Sequence, residues 1–313
     1  MANYITVDGG TTNTRLTLVK DGKCVDTVKY NVGARVGIED KSALKNAIKD
    51  GICTLLQQNN LKETDIKMII ASGMITSEFG LCNLPHLIAP VGIKELHEAM
   101  HETKFPDISP ILFTFIRGVK LQGETLENAD MMRGEETELY GLSNELSGVY
   151  ILPGSHSKII TVDENGQITH FRTELTGEMI YSLTQYTILK STVDLSVKEL
   201  SVEYLLKGYH YCNEFGINEA LFKVRVLGNL FSADKVQIYN FFMGVVLCSE
   251  INTVLKMNPE KITVGGKKQI KKATVMLLKN ICQAEIIEID GQTVDCSSSL
   301  GAVKIFEYNS INQ

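Results

Sequence analysis

Residues 4–7 alternate in hydrophobicity and favour β-branched side chains, and the alternation resumes in Thr14-Arg15-Leu16-Thr17-Leu18-Val19. Between them lies V-D-G-G-T-T-N-T-R at residues 7–15. Period-two patterning on both sides of a glycine pair predicts two strands joined by a tight hairpin. Asp21-Gly22 predicts a second turn and 24–30 a third strand. Over 41–59 the period changes: Leu44, Ile48, Ile52, Leu55 and Leu56 share one helical face. The pattern then predicts a short buried strand at 67–71 leading into Ser72-Gly73-Met74, a helix at 93–101 and a strand at 110–115. It predicts an irregular stretch over 116–133 and a short helix at 135–142.

The segment from Val149, V-Y-I-L-P-G-S-H-S-K-I-I-T-V-D-E-N-G-Q-I-T-H-F, repeats the opening arrangement of strand, glycine-hydroxyl turn, strand, acidic-glycine turn, strand. Gly10 and Gly22 are 12 positions apart, as are Gly154 and Gly166. Similar units at a wide spacing suggest two related halves. Helices are predicted at 177–189, 201–212, 217–227 and 233–256, a strand at 261–264 ending at Gly265-Gly266, and a helix over 267–279. A strand at 284–289 and a helix at 297–308 complete an α/β pattern.

Composition narrows the function classes. The 313 residues allow one large or two medium domains, with 44% apolar and 22% charged residues, as in ordinary globular chains. A net charge of −6 gives no general attraction to nucleic acid or acidic membrane. The 7 cysteines are scattered without C-x-x-C spacing and read as reduced thiols of a cytoplasmic protein. The N-terminus has no signal-peptide pattern, and the apolar run at 241–248 is too short to span a bilayer.

The first bend does not open a helix, so it is no dinucleotide fingerprint, and no G-x-x-x-x-G-K-[ST] occurs. Two readings stand: its glycines serve only the hairpin, or its backbone N–H groups and the hydroxyls of Thr11 and Thr12 cradle an anion, with Asp8 holding a metal nearby. Two such bends, one per half, can face each other across a cleft and hold a polyphosphate. Gly10, Thr11, Thr12 and Asn13 would contribute from the first, and Gly154, Ser155, His156 and Lys158 from the second. Gly265-Gly266, ahead of a helix, offers flat backbone to an adenine and a helix N-terminus to the α-phosphate. For the chemistry, N-A-D-M-M-R-G-E-E-T-E at 128–138 supplies carboxylates at a helix start. Acids there also stabilise the helix dipole, so Asp130 and Glu135 stay open as the functional acid. Phosphoryl transfer to an alcohol needs positioning, Mg²⁺ and a carboxylate to take the hydroxyl proton. Arg133 offers a bidentate fork for an anionic acceptor.

In combination, V-D-G-G-T-T-N-T-R, M-R-G-E-E-T-E, L-P-G-S-H-S-K and F-R-T-E-L-T-G-E at 171–178 resemble the 2-dehydro-3-deoxygalactonokinase family of the sugar kinase, Hsp70 and actin superfamily. The family typically carries Trp where Gly9 stands. The resemblance implies an α/β, two-lobed actin-like ATPase fold built from two ribonuclease-H-like domains with a central cleft. Residues 1–145 would form the acceptor lobe and 146–313 the nucleotide lobe, the last helix being free to pack back on the first. It implies transfer of the ATP γ-phosphate to the terminal 6-hydroxyl of a 2-keto-3-deoxy sugar acid. Glu135 would be the base, with Asp130 second; Asp8 would position Mg²⁺ through water. Gly73, Met74, Thr176, Gly177 and Glu178 would border the acceptor, and the lobes would close around the ligands to exclude water. An actin-like nucleotide switch or sugar sensor without kinase activity is the alternative, as is a kinase for another small acceptor. The implied partner is a small sugar acid, with no nucleic acid or membrane; a homodimer is left open.

Overall fold

The computed structural model describes residues 2–36, 41–143, 146–266 and 268–311. The chain divides into two compact units. The first is Met1–Ser147 with Val162–His170 and Gly291–Gln313, and the second is Gly148–Thr161 with Phe171–Asp290. The lobe boundary expected at 145 falls on a residue outside those described. Residues 162–170, expected in the second lobe, group with the first unit. There Ile168 bridges Val91, and the Tyr140 hydroxyl donates to the Gly166 carbonyl at 2.8 Å.

In the first unit, β1 (Asn3–Gly9), β2 (Thr14–Lys20) and β3 (Lys23–Tyr30) form an antiparallel meander. The helix α1 (Lys41–Gln58) buries Leu44, Ile48, Ile52 and Leu55 in one core with Ile5, Leu16 and Leu18 of the meander. Next come β4 (Ile66–Gly73), β5 (Leu87–Ile88), α2 (Ile93–Glu98), β6 (His101–Phe105), β7 (Ser109–Phe115), β8 (Val119–Gln122), β9 (Ala129–Met132) and α3 (Glu135–Leu142). The main sheet runs β3-β2-β1-β4-β7-β6, with β1, β4 and β7 mutually parallel. Two sequence expectations change here. The helix expected over 93–101 stops at Glu98, and His101 begins β6, an exposed edge strand too polar to show alternation. The stretch 116–133 is not irregular: β8 and β9 pair, and with β5 they form a three-stranded sheet. Strands of two to four residues are too short to carry a readable period; their partners define them.

The chain continues, in the second unit apart from residues 162–170, through β10 (Gly148–Leu152), β11 (Ser157–Val162), β12 (Ile168–Glu174), α4 (Thr176–Tyr186), α5 (Val202–Phe215), α6 (Ile217–Phe231), α7 (Lys235–Met257), β13 (Lys261–Val264), α8 (Lys268–Ile281) and β14 (Glu285–Glu288). Residue 267, expected to begin the helix before β14, lies outside the described residues. The sheet order β12-β11-β10-β13-β14 reproduces β3-β2-β1-β4-β7, again with the last three strands parallel. The sequence similarity of the two meanders is thus matched by equal topology. By length and composition α7 could cross a bilayer, but 78% of its apolar window is buried in the fold. It is the core helix of this unit, packed with Leu205, Tyr209, Val224 and Ile262.

Two helices complete the first unit: α9 (Gly291–Phe306) and α10 (Tyr308–Ile311). The start of α9 lies six residues before the expected 297, because its polar first turn carries no apolar stripe. Gly141 of α3 and Gly301 of α9 face each other so closely that a Cβ on either would overlap the other helix's backbone, at the Ser297 or Thr137 carbonyl. Lys304 then donates to the carbonyls of Tyr140 and Ser143 at the end of α3, at 3.3 and 2.8 Å, where cations are favoured.

Candidate active site

The first unit gathers its candidates at the C-terminal edge of the parallel strands. The bend between β1 and β2 is closed by Gly10 N–H donating to Asn13 C=O at 2.8 Å. It is strapped from outside by Ala34 and Arg35, whose N–H groups donate to the Gly10 and Thr11 carbonyls. The N–H groups of Thr11, Thr12 and Asn13 have no hydrogen-bond partner among the described residues, and Thr11 and Thr12 are exposed. The bend therefore presents unengaged donors, as an anion cradle requires.

Asp8 lies beside this bend. Desolvation raises its carboxyl pKa above the ordinary value, with Arg15 opposing. Gly73 ends the neighbouring β4 at φ +81, a conformation that disfavours a side chain, and a Cβ there would overlap the Gly9 carbonyl and lie 3.5 Å from Asp8 Oδ1. Gly134, at φ +115, packs against the Gly73 backbone. Asp8, Gly73 and the start of α3 are thus in one place, with Met74 following Gly73.

Each acid of the 128–138 run has a distinct setting. Glu135, half-buried in the first turn of α3, accepts the Arg133 N–H at 3.0 Å. Asp130 sits on the short strand β9, paired across to Leu121, and accepts the Met131 N–H at 2.6 Å. Glu136 is fully buried and accepts the Gly134 N–H and the Thr137 hydroxyl. Desolvation, with the Glu135 charge adding to it, pushes its pKa up to about 7. The guanidinium of Arg133 is not an open fork. Nη1 donates to the carbonyl and hydroxyl of Thr76, and Nη2 reaches the Leu84 carbonyl and His86 Nδ1. Its four terminal hydrogens are engaged in bracing the loop after β4.

The second unit gathers the remaining candidates. Gly154 N–H donates to Ser157 Oγ at 3.3 Å, shaping the bend between β10 and β11. Ser155 is exposed, and His156 Nε2 lies 3.2 Å from Glu178 Oε1. Lys158 is buried, with its ammonium donating to Thr173 Oγ1 on β12. Gly266 packs on Pro153, and the Gly265 N–H donates to the Ile151 carbonyl, so the glycine pair lies directly under the bend. Thr176, Gly177 and Glu178, expected at the acceptor, join this same group. A Cβ on Gly177 would overlap the Gly154 carbonyl, and Glu178 N–H donates to the Ser155 carbonyl.

A sequence profile described as 2-keto-3-deoxy-galactonokinase matches residues 8–295. The chain belongs to this family. A 2-dehydro-3-deoxygalactonokinase of Escherichia coli (strain K12) is 27% identical over 252 residues, covering 80% of each chain. The crystal structure of a Sinorhizobium meliloti protein provisionally named a 2-dehydro-3-deoxygalactonokinase superposes with a TM-score of 0.73 at 20% identity, over 97% of this chain and 99% of that one. A ligand-bound xylulose kinase from Lactobacillus acidophilus superposes with a TM-score of 0.53 at 12% identity, over 100% of this chain and 90% of that one. The fold is the α/β, two-lobed actin-like one, and the family is one of sugar-acid kinases, phosphotransferases.

Within this member of the 2-keto-3-deoxy-galactonokinase family, Gly9 sits in a closely packed place. A Cβ at Gly9 would lie 2.7 Å from the Ile75 side chain, which fills that place. A further acid was not singled out from the sequence. Glu250 stands among apolar residues of α7, fully buried, and accepts the Thr176 hydroxyl at 2.7 Å, while its Oε1 has no hydrogen-bond partner among the described residues. Desolvation pushes its pKa up to about 7, with Thr176 and Ser157 holding it down and Glu174 pushing further up. The readable signal is the one carboxylate in a mostly apolar helix.

The sign of the resulting pH dependence follows from linkage. An acid whose pKa is higher folded than unfolded stabilises the fold below its unfolded pKa, near 4.5. That contribution is lost as pH rises to about 7. Glu250→Gln removes one such group. Urea unfolding should show a shallower loss of stability between these limits. At pH 8 the variant should be more stable than the parent by on the order of 2 kcal/mol. An unaltered slope would exclude Glu250 as the titrating group.

Proposed function

We propose that this protein is an ATP-dependent kinase that phosphorylates the terminal 6-hydroxyl of 2-dehydro-3-deoxy-D-galactonate or a close keto-deoxy sugar acid. The observation that carries the reading is the family match across residues 8–295. It is supported by the grouping of Asp8, Gly73 and the Gly134-Glu135 turn at one edge of the first unit's sheet. In this reading the donors of residues 10–13 and 154–158 bind phosphate oxygens, and Gly265-Gly266 borders the nucleoside. Thr176, Gly177 and Glu178 support the second bend. Gly73 and Met74 border the acceptor, and Arg133 fixes the loop that shapes that side.

Mg²⁺ fits this reading. Asp8 is a desolvated carboxylate opposed only in part by Arg15, and a dication would compensate it. The described residues hold no cluster of three or more metal-ligating side chains. Asp8 would hold the ion through water, with water and phosphate oxygens as the oxygen ligands Mg²⁺ prefers. When bound, Mg²⁺ neutralises charge on the phosphates. The protein's own step is proton transfer. As the acceptor oxygen bonds to the γ-phosphorus and the bond to ADP breaks, the hydroxyl proton passes to Glu135, with Asp130 as second candidate. A cytoplasmic setting with small-molecule partners belongs to the same proposal.

The test is a coupled ADP-release assay on the purified protein against epimeric keto-deoxy sugar acids. ADP formation that depends on such an acid, with the galacto epimer preferred, is the expected result. Release no faster with any acid than without would overturn the reading.

A further inference from the structure

The proposed acceptor carries a carboxylate, and Arg133 has no terminal N–H left for it. A second arginine stands close by. Arg117 follows β7, the third of the parallel strands. Ala71 pairs with Phe115, and the Ile116 N–H donates to the Ala71 carbonyl. Carrying that register forward puts Arg117 level with Gly73, which is itself paired with Gly9. On its other side, Gly118 packs against His86, Arg133 and the Met132 carbonyl, and accepts from the Leu87 N–H. Arg117 is therefore held between the end of the main sheet and the loop that Arg133 braces. Its charge is felt at Cys82, where it opposes the larger desolvation that raises the thiol pKa. Cys82 in turn donates its N–H to the carbonyl of Ile75, the residue against Gly9.

The electrostatic setting of this side chain is unusual. Arg117 is half-buried, its Nε is buried with no hydrogen-bond partner, and it makes no ion pair or hydrogen bond among the described residues. A guanidinium carries five donors, and leaving a buried one unmet costs free energy. Parallel α/β sheets bind ligands at this edge of their strands. We propose that Arg117 binds the carboxylate of the acceptor, using its planar fork to select an acid over an uncharged sugar. The assignment rests on the proposed kinase reading. A nucleotide phosphate would satisfy the same fork, and the experiment separates the two sources.

Steady-state kinetics of the parent, Arg117→Met and Arg117→Lys would be measured with the keto-deoxy acid and with its uncharged C1 amide as acceptors, varying acceptor and ATP in turn. In Arg117→Met the KM for the acid should rise at least about 30-fold, the scale of breaking a buried charge pair. The KM for ATP should stay within about twofold, since this charge would not touch the nucleotide. The parent's preference for acid over amide should collapse. Arg117→Lys keeps the charge without the fork and should fall between parent and Met. It also answers the question if the Met variant fails to fold. An unchanged acid KM and acid-to-amide preference in either variant would overturn the inference while leaving the kinase reading intact. A rise in the KM for ATP instead would assign the fork to the nucleotide and also overturn it. No turnover of any acid by the parent would sink both.

Discussion

Glu135→Gln is expected to lower kcat by about three orders of magnitude, within the range for removal of a general base, while nucleotide binding is retained. The substitution is conservative in the relevant sense. The Arg133 N–H that donates to Glu135 Oε2 can donate equally to the amide oxygen of Gln, so the α3 start keeps its shape. What is lost is a group able to take a proton. Glu135 stands in the first turn of α3, where the helix N-terminus favours a negative charge. It also follows Gly134, whose backbone touches Gly73 beside Asp8. Asp130 lies on β9, paired across to Leu121 rather than on the first turn of α3, and Asp130→Asn should cost less than tenfold by comparison. The decisive measurement is kcat for both variants beside ATP affinity by calorimetry. Full activity in Glu135→Gln with a crippled Asp130→Asn would transfer the role of base to Asp130.

Gly301→Ala should destabilise the protein by about 3 kcal/mol, at the upper end of the usual cost of overpacking. A single added methyl group meets the Thr137 carbonyl and the Gly141 backbone across the α3–α9 contact. Backbone atoms cannot swing aside as a flexible side chain can, so one helix must move. The consequence reaches the site, because α3 begins at Glu135 and its other end is held by Lys304 of α9. Activity of the folded fraction should fall as well. Gly291→Ala is the control: it lies at the start of the same helix with open space around it, and should change stability by no more than about 0.5 kcal/mol. Equal urea midpoints for the two variants would show that the close crossing does not determine the position of α3.

Much of this was written in local pattern. The two meanders announced themselves through alternation and glycine punctuation, and their shared spacing suggested two related halves, whose sheet orders match. The apolar face of α1 could be read residue by residue. The run M-R-G-E-E-T-E placed a helix start and its acids correctly, because acids in a first turn are a local signal. The short strands β5, β6, β8 and β9 were not legible, since a few residues held by a neighbouring strand need no period of their own. Arg133 misled for a related reason. Its type suggested an anion-binding fork, but what a guanidinium contacts depends on carbonyls and a ring nitrogen 47 to 57 residues away in the chain.

The sequence by itself determined the family, the α/β pattern with its internal repeat, and which stretches carry glycine, hydroxyl and acid in the order a phosphoryl-transfer enzyme uses. These are properties of neighbours along the chain. Tertiary structure alone decided which charges are satisfied and which are not: Arg133 engaged with Thr76, Leu84 and His86, Arg117 without a partner among the described residues at the strand edge, Glu136 and Glu250 buried as weak acids. Solvation and pairing depend on atoms brought together from distant positions, and no local pattern records them.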